Sequence, residues 1–174
     1  MEDASVRETT TRPRGRFALR PSNAWFLLIA LAAVAADQGT KAMIRAWVER
    51  GESIPDGGLL RIVHITNSGA AFGMFQGAGA LLIITSVVGM AAILIYLFNP
   101  GFAHPLMRGG LALMLGGAVG NLIDRVRDGE VVDFIKVPNF PAFNVADSCI
   151  TVGVLVLIWA MLREEKNETD AENS

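Results

Sequence analysis

Between Ala78 and Phe98 the chain runs AGALLIITSVVGMAAILIYLF, 21 positions without a charge. As a helix this run would rise about 31 Å, enough to cross the roughly 30 Å hydrocarbon core of a bilayer. Few chains carry such a run unless it lies in lipid. The remaining composition agrees. Apolar residues make up 52% before the 18 glycines are added, already above the roughly 45–50% that soluble domains reach with glycine included. Charged residues are 18%, against about 25% in soluble domains. A net charge of −2 gives no global field for nucleic acid, so none is expected as a partner. One cysteine and two histidines exclude an internal disulfide and leave too few ligands for a structural zinc site.

Three further stretches complete a set of four spans. Residues 24–44 hold thirteen apolar residues, a polar interruption and two more helical turns. Residues 106–123 form a glycine-rich span with Arg108 near one end and Asp124 just past the other, and 145–162 form the fourth, with Asp147 near its start. The last two are short for bilayer spans. Arg7, Arg12, Arg14, Arg16 and Arg20 precede the first span, which predicts a cytoplasmic N-terminus. Four spans return the C-terminus to the same side. The basic start, apolar stretch and Ala33–Ala35 also mimic a cleaved signal peptide. The helical pattern continues past Asp37 through Ile44, which favours a retained span.

The predicted architecture is an all-α membrane protein, a bundle of four transmembrane helices with a small extracytoplasmic β-sheet and a short interfacial helix. Residues 1–20 would be a cytoplasmic N-terminal tail, 21–162 the membrane domain and 163–174 a cytoplasmic C-terminal tail. Segments 59–66 and 131–137 carry β-branched residues in strand-like patterns and predict the sheet. Residues 45–77, with Trp47 and several charges, suit an interfacial helix followed by strands.

Ionisable residues at membrane depth are costly and by default mark function. Here Asp37, Lys41, Asn67, Asn121, Asp124, Arg125, Asp133, Asn144 and Asp147 all fall at the outer end of the predicted bundle. Each has a plainer reading. Asp37 and Lys41 are four apart and suit an intrahelical ion pair. Asn121 and Arg125 share that spacing and could clamp a helix end. Asn144 and Asp147 suit a helix N-terminus. Gly116 and Gly120 suit close helix packing, Cys149 a small buried hydrophobe and His64 the surface. With no nucleophile–histidine pair and no metal set, paired carboxylates are the chemistry that remains. One such carboxylate would take a proton from water while the other donates to the departing amine. Spacing alone does not say which two of Asp124, Asp133 and Asp147 would pair.

At these residues the chain resembles the lipoprotein signal peptidase (signal peptidase II) family, bacterial integral membrane aspartic endopeptidases. The resemblance rests on D37-Q-G-T-K41, N67-S-G-A-A-F72, G117-A-V-G-N-L-I-D124-R125, V131-V-D133-F and F143-N144-V-A-D147-S. It spans about residues 20–162 and leaves out both tails. It implies Asp133 and Asp147 as the catalytic aspartates, with Asp124 holding Arg125 and the mouth of the site. Asn67, Asn121, Arg125 and Asn144 would order the site or bind substrate backbone, and Asp37 and Lys41 would tie the first span to it. The segment 136–142 would be a tight turn carrying Asp133 toward Asp147. The implied reaction is hydrolysis of the bond before a diacylglyceryl-modified cysteine in a prolipoprotein, releasing the signal peptide. It needs no metal or organic cofactor. Membrane lipid would be a partner, the chain would act as a monomer in the bacterial inner membrane, and the site would open on the extracytoplasmic face. The rival from another class is a small proton- or cation-coupled transporter, whose mark would be charge spread through the membrane depth. A binding-only scaffold is a second.

Overall fold

The computed structural model describes residues 25–69, 79–99 and 104–172. The basic tail and residues 70–72 of the second motif lie outside that set. The described elements run α1 (Trp25–Trp47), β1 (Ser53–Ile54), β2 (Arg61–Asn67), α2 (Gly79–Phe98), α3 (Pro105–Asp128), β3 (Val131–Lys136) and α4 (Val145–Glu172). All four helices are long and apolar enough to cross a membrane. Their apolar surface points outward, with Leu28, Leu31, Ile95 and Leu155 each about two-thirds exposed. In water this would be an error of patterning, but in lipid it is the stable arrangement.

The third helix is the axis of the bundle and packs against each of the other three. Its glycines make that possible. A Cβ on Gly116 would stand 2.6 Å from the Ala30 carbonyl oxygen of α1, and one on Gly110 would stand 2.7 Å from the Gly153 oxygen of α4. So Gly116 and Gly120 serve the α1 face, while Gly110 and Gly117 serve the α4 face. A small apolar core of Phe26, Ala30, Leu97, Leu111, Ala112 and Leu115 fills the end of the bundle away from the sheet.

Helix α3 is longer than its apolar run predicts. Asp124 and Arg125 lie inside it rather than beyond it, because Asp124 is buried against cations of α1. The helix ends at Gly129, whose φ of 76° is left-handed and whose N–H bonds the Arg125 carbonyl at 3.1 Å. Likewise α1 runs on to Trp47, and α4 continues to Glu172.

The three strands form an antiparallel sheet in the order β1–β2–β3. Both strands expected from sequence are present and paired, Asn67 opposite Val131 and Ile65 opposite Asp133. The short interfacial helix expected after residue 45 is not found among the described residues, since 45–47 extend α1 and 48–69 carry turns and strands. His64 is also not at the surface. It is buried on β2, with Nδ1 2.7 Å from the Val48 carbonyl oxygen just past α1.

Candidate active site

The N-terminus of α4 is closed by side-chain hydrogen bonds. Asn144 is its N-cap, with Oδ1 accepting from the Asp147 N–H at 2.9 Å. Asp147 reaches back, its Oδ2 accepting from the Asn144 N–H at 3.2 Å. The two form a reciprocal capping box. The Ala146 N–H of the same turn is buried and bonds Asp37 Oδ1 of α1 at 2.9 Å. Asp37 can reach it because Gly120 of α3 has no side chain: a Cβ there would stand 2.5 Å from Asp37 Oδ2.

Asp133 comes to the same place from the sheet. Asn67, diagonal to it across the β2–β3 ladder, donates from Nδ2 to Asp133 Oδ2 at 3.1 Å. Asn144 Nδ2 donates to the other oxygen at 2.8 Å. Asn144 therefore touches both Asp133 and Asp147. The turn after β3 doubles the chain back, with Phe143 N–H bonding the Ile135 carbonyl at 3.0 Å. Asn144 thereby follows Asp133 closely in space. Burial pushes the Asp133 carboxyl up to about 6, and the Asp147 charge pushes the same way, while the Asn67 and Asn144 donors pull against both.

Asn67, Asn121, Arg125, Asp133, Phe140 and Asp147 line a cavity of about 570 Å³ at the junction of sheet and bundle, which extends along α4 past Ile150 and Val152. Asn121 joins the cavity to the charges behind it. Its Nδ2 donates to Asp147 Oδ1 at 2.8 Å, and its Oδ1 accepts from Lys41 Nζ at 2.9 Å and from Asn144 Nδ2 at 3.2 Å.

Lys41 is wholly buried and makes ion pairs of 2.8 Å with both Asp37 and Asp124. The intrahelical pair read from the four-residue spacing is thus half of its role. Asp124 Oδ1 also accepts from Arg45 at 3.1 Å and Gln38 at 3.2 Å. This corrects the expectation that Asp124 holds Arg125. Successive helical residues face about 100° apart, so Asp124 faces α1 while Arg125 lines the cavity. Among the described residues no group of three or more His, Cys, Asp or Glu side chains is arranged to hold a metal ion.

Known proteins resemble this chain over most of its length. The family model described as signal peptidase (SPase) II matches residues 29–163. The chain belongs to the signal peptidase II family. A lipoprotein signal peptidase of Dehalococcoides mccartyi is 40% identical over 159 residues, covering 86% of this chain and 96% of its own. One from Moorella thermoacetica is 43% identical over 139 residues, covering 79% and 92%. A solved structure described as a bacterial membrane enzyme, obtained by the in meso method, superposes with a TM-score of 0.76 at 36% identity. It covers 83% of this chain and 91% of its own. The protein is a multi-pass membrane peptidase, and none of these likenesses favours the transporter reading.

Within this signal peptidase II chain, all nine residues singled out from sequence lie at one end of the bundle, in or behind one cavity. Two that matter were missed. Gln38 Nε2 donates to Asp37 Oδ2, the Gly120 carbonyl and Asp124 Oδ1, at 3.0 to 3.2 Å. Arg45 bonds Asp124 and Asp128, each at 3.1 Å. Gln38 stood inside the first motif as a neutral residue. Arg45 was legible only through its helical spacing, four residues after Lys41 and eight after Asp37, on one helix face.

Proposed function

We propose that this chain hydrolyses the peptide bond preceding the diacylglyceryl-modified cysteine of prolipoproteins, with Asp133 and Asp147 as the catalytic pair. The observation that carries the assignment is the different fate of the four carboxylates. Asp37 and Asp124 are held in ion pairs with Lys41 behind the cavity. Asp133 and Asp147 line it and are bridged by one asparagine. With Asp133 raised to about 6, the pair holds one proton between them through mildly acidic pH and titrates as a unit.

A water between the two carboxylates loses a proton to the ionised member as it attacks the scissile carbonyl. The tetrahedral intermediate collapses when the protonated member gives its proton to the departing amine. Asn67, Asn121 and Asn144 fix the carboxylates so that no reorganisation is needed at the moment of reaction. Arg125 takes a backbone carbonyl of the substrate. Ile150 and Val152 on the α4 wall meet its apolar part, while the acyl chains stay in the bilayer. The sheet end faces outward, both termini are cytoplasmic, and the chain acts as a monomer, a reading supported by Asn67, Asn121, Arg125, Asp133 and Asp147 of one copy lining the same cavity.

The test is cleavage of a diacylglyceryl-modified prolipoprotein by purified wild type beside Asp133→Asn, Asp147→Asn and Asp124→Asn, with an unmodified precursor as control. Folded but inert variants at 133 and 147, with residual activity at 124, are the expected result. An active Asp133→Asn beside an inert Asp124→Asn would overturn the pair. No cleavage of lipidated substrate by folded wild type would overturn the reading itself.

A further inference from the structure

Lys41, Arg45 and Arg50 leave the sheet end of α1 in that order, and the junction from α3 to β3 carries Asp124, Asp128 and Glu130 in matching order. Lys41 meets Asp124 at 2.8 Å, Arg45 meets Asp124 and Asp128 at 3.1 Å each, and Arg50 reaches Glu130 at 3.4 Å. The last of these is largely exposed and worth little. Arg45 differs. A single nitrogen, Nη2, bonds two carboxylates one helical turn apart, and its side chain is only 25% exposed while that of Asp124 is fully buried.

The turn so held has two outputs. Asp124 and Asp128 lie on the face of α3 toward α1, whereas Arg125, one residue on, lines the cavity. Gly129 then ends the helix, and the strand that carries Asp133 begins at Val131. The last turn of α3 is both the mount of Arg125 and the origin of that strand.

We propose that Arg45 is a positioning residue: by tying Asp124 and Asp128 to α1 it keeps the Arg125 guanidinium on the cavity wall where substrate backbone passes. This rests on the cavity being the cleavage site. Arg45 touches no substrate, so the effect it has through Arg125 must vanish when Arg125 is gone.

A double-mutant cycle on cleavage of a diacylglyceryl-modified prolipoprotein tests this. Arg45→Gln is expected to lower kcat/KM about fivefold, chiefly through KM, and by less than about twofold in an Arg125→Gln background. Asp128→Asn, which removes the exposed anchor and endangers folding least, should fall in the same direction and lose its effect in the same background. Arg45→Lys should recover part of the loss, since an ammonium keeps the charge without the guanidinium geometry. Equal losses in both backgrounds would overturn the proposal, as would wild-type rates for both Arg45→Gln and Asp128→Asn. An Arg125→Gln enzyme as active as wild type would overturn it together with the role of Arg125 in the cavity. Loss of the cleavage reading itself would appear separately, as an inactive wild type.

Discussion

Asn144 and Asp147 cap each other across the first turn of α4, at 2.9 and 3.2 Å, while the amide of Asn144 also holds Asp133 at 2.8 Å. One side chain thus starts a helix and joins two carboxylates, and the two duties can be separated. Serine keeps an N-cap acceptor but has no amide to offer Asp133, whereas alanine loses both. Asn144→Ser should therefore be more stable than Asn144→Ala by about 1 kcal/mol, as unfolding midpoints in detergent would record. Both should lose cleavage by roughly 10²-fold, the scale of a misplaced catalytic group. A Ser variant with near wild-type cleavage would show that the bridge to Asp133 is dispensable.

The raised Asp133 carboxyl makes a pH prediction with a definite sign. A pair that needs one proton is active while that proton is held and fails as pH rises through the upper apparent pKa. For the free enzyme, kcat/KM should fall along an alkaline limb near pH 6, since the Asp133 carboxyl is pushed up to about 6. Asn67 donates to the ionised form and so lowers this value. Asn67→Leu removes that support and should move the limb to higher pH. A limb that stays in place or moves down would contradict a part for Asp133 in this titration.

Lys41 is the sole cation paired with Asp37 among the described residues, and it shares Asp124 with Arg45. Lys41→Met leaves the buried Asp37 carboxylate without a countercharge, a loss of about 3–5 kcal/mol in apparent stability. Adding Asp37→Asn removes the stranded charge and should restore part of that loss, because Asp124 still has Arg45. Recovery of folded protein and its unfolding midpoint would measure both. No recovery in the double variant would mean that Lys41 stabilises through something other than Asp37.

Much of this site is legible in the sequence, and the parts that are not share a physical reason. Segments 59–66 and 131–137 announce strands by β-branched content, and the family resemblance carried by the polar motifs points to Asp133 and Asp147. Local pattern misjudged α3, because Asp124 and Arg125 look like the end of an apolar run. What holds Asp124 inside the helix is charge on α1, about eighty residues earlier in the chain. Gln38 carries no charge to attract notice, and its three acceptors come from two helices. His64 is buried because the end of α1 brings the Val48 carbonyl to it, a contact invisible to strand periodicity.

Gly116 and Gly120 read from sequence as one packing motif, but the structure gives them different work. A Cβ at Gly116 meets the Ala30 carbonyl at 2.6 Å and Ala33 Cβ at the same distance, which is helix packing alone. A Cβ at Gly120 meets Asp37 Oδ2 at 2.5 Å. That carboxylate cannot retreat freely, because Lys41 holds it at 2.8 Å and the Ala146 N–H at 2.9 Å. Gly120→Ala must therefore break one of these bonds or part the helices, and either shifts the turn that bears Asp147. Both Ala variants should lose about 1–3 kcal/mol of stability by overpacking. Only Gly120→Ala should also lose cleavage per folded molecule, by at least about tenfold. Gly109→Ala, whose nearest neighbour is a Trp25 ring atom at 3.7 Å, should be neutral in both assays. Matching activity per folded molecule in Gly116→Ala and Gly120→Ala would show that the Asp37 contact to α4 does not hold Asp147 in place.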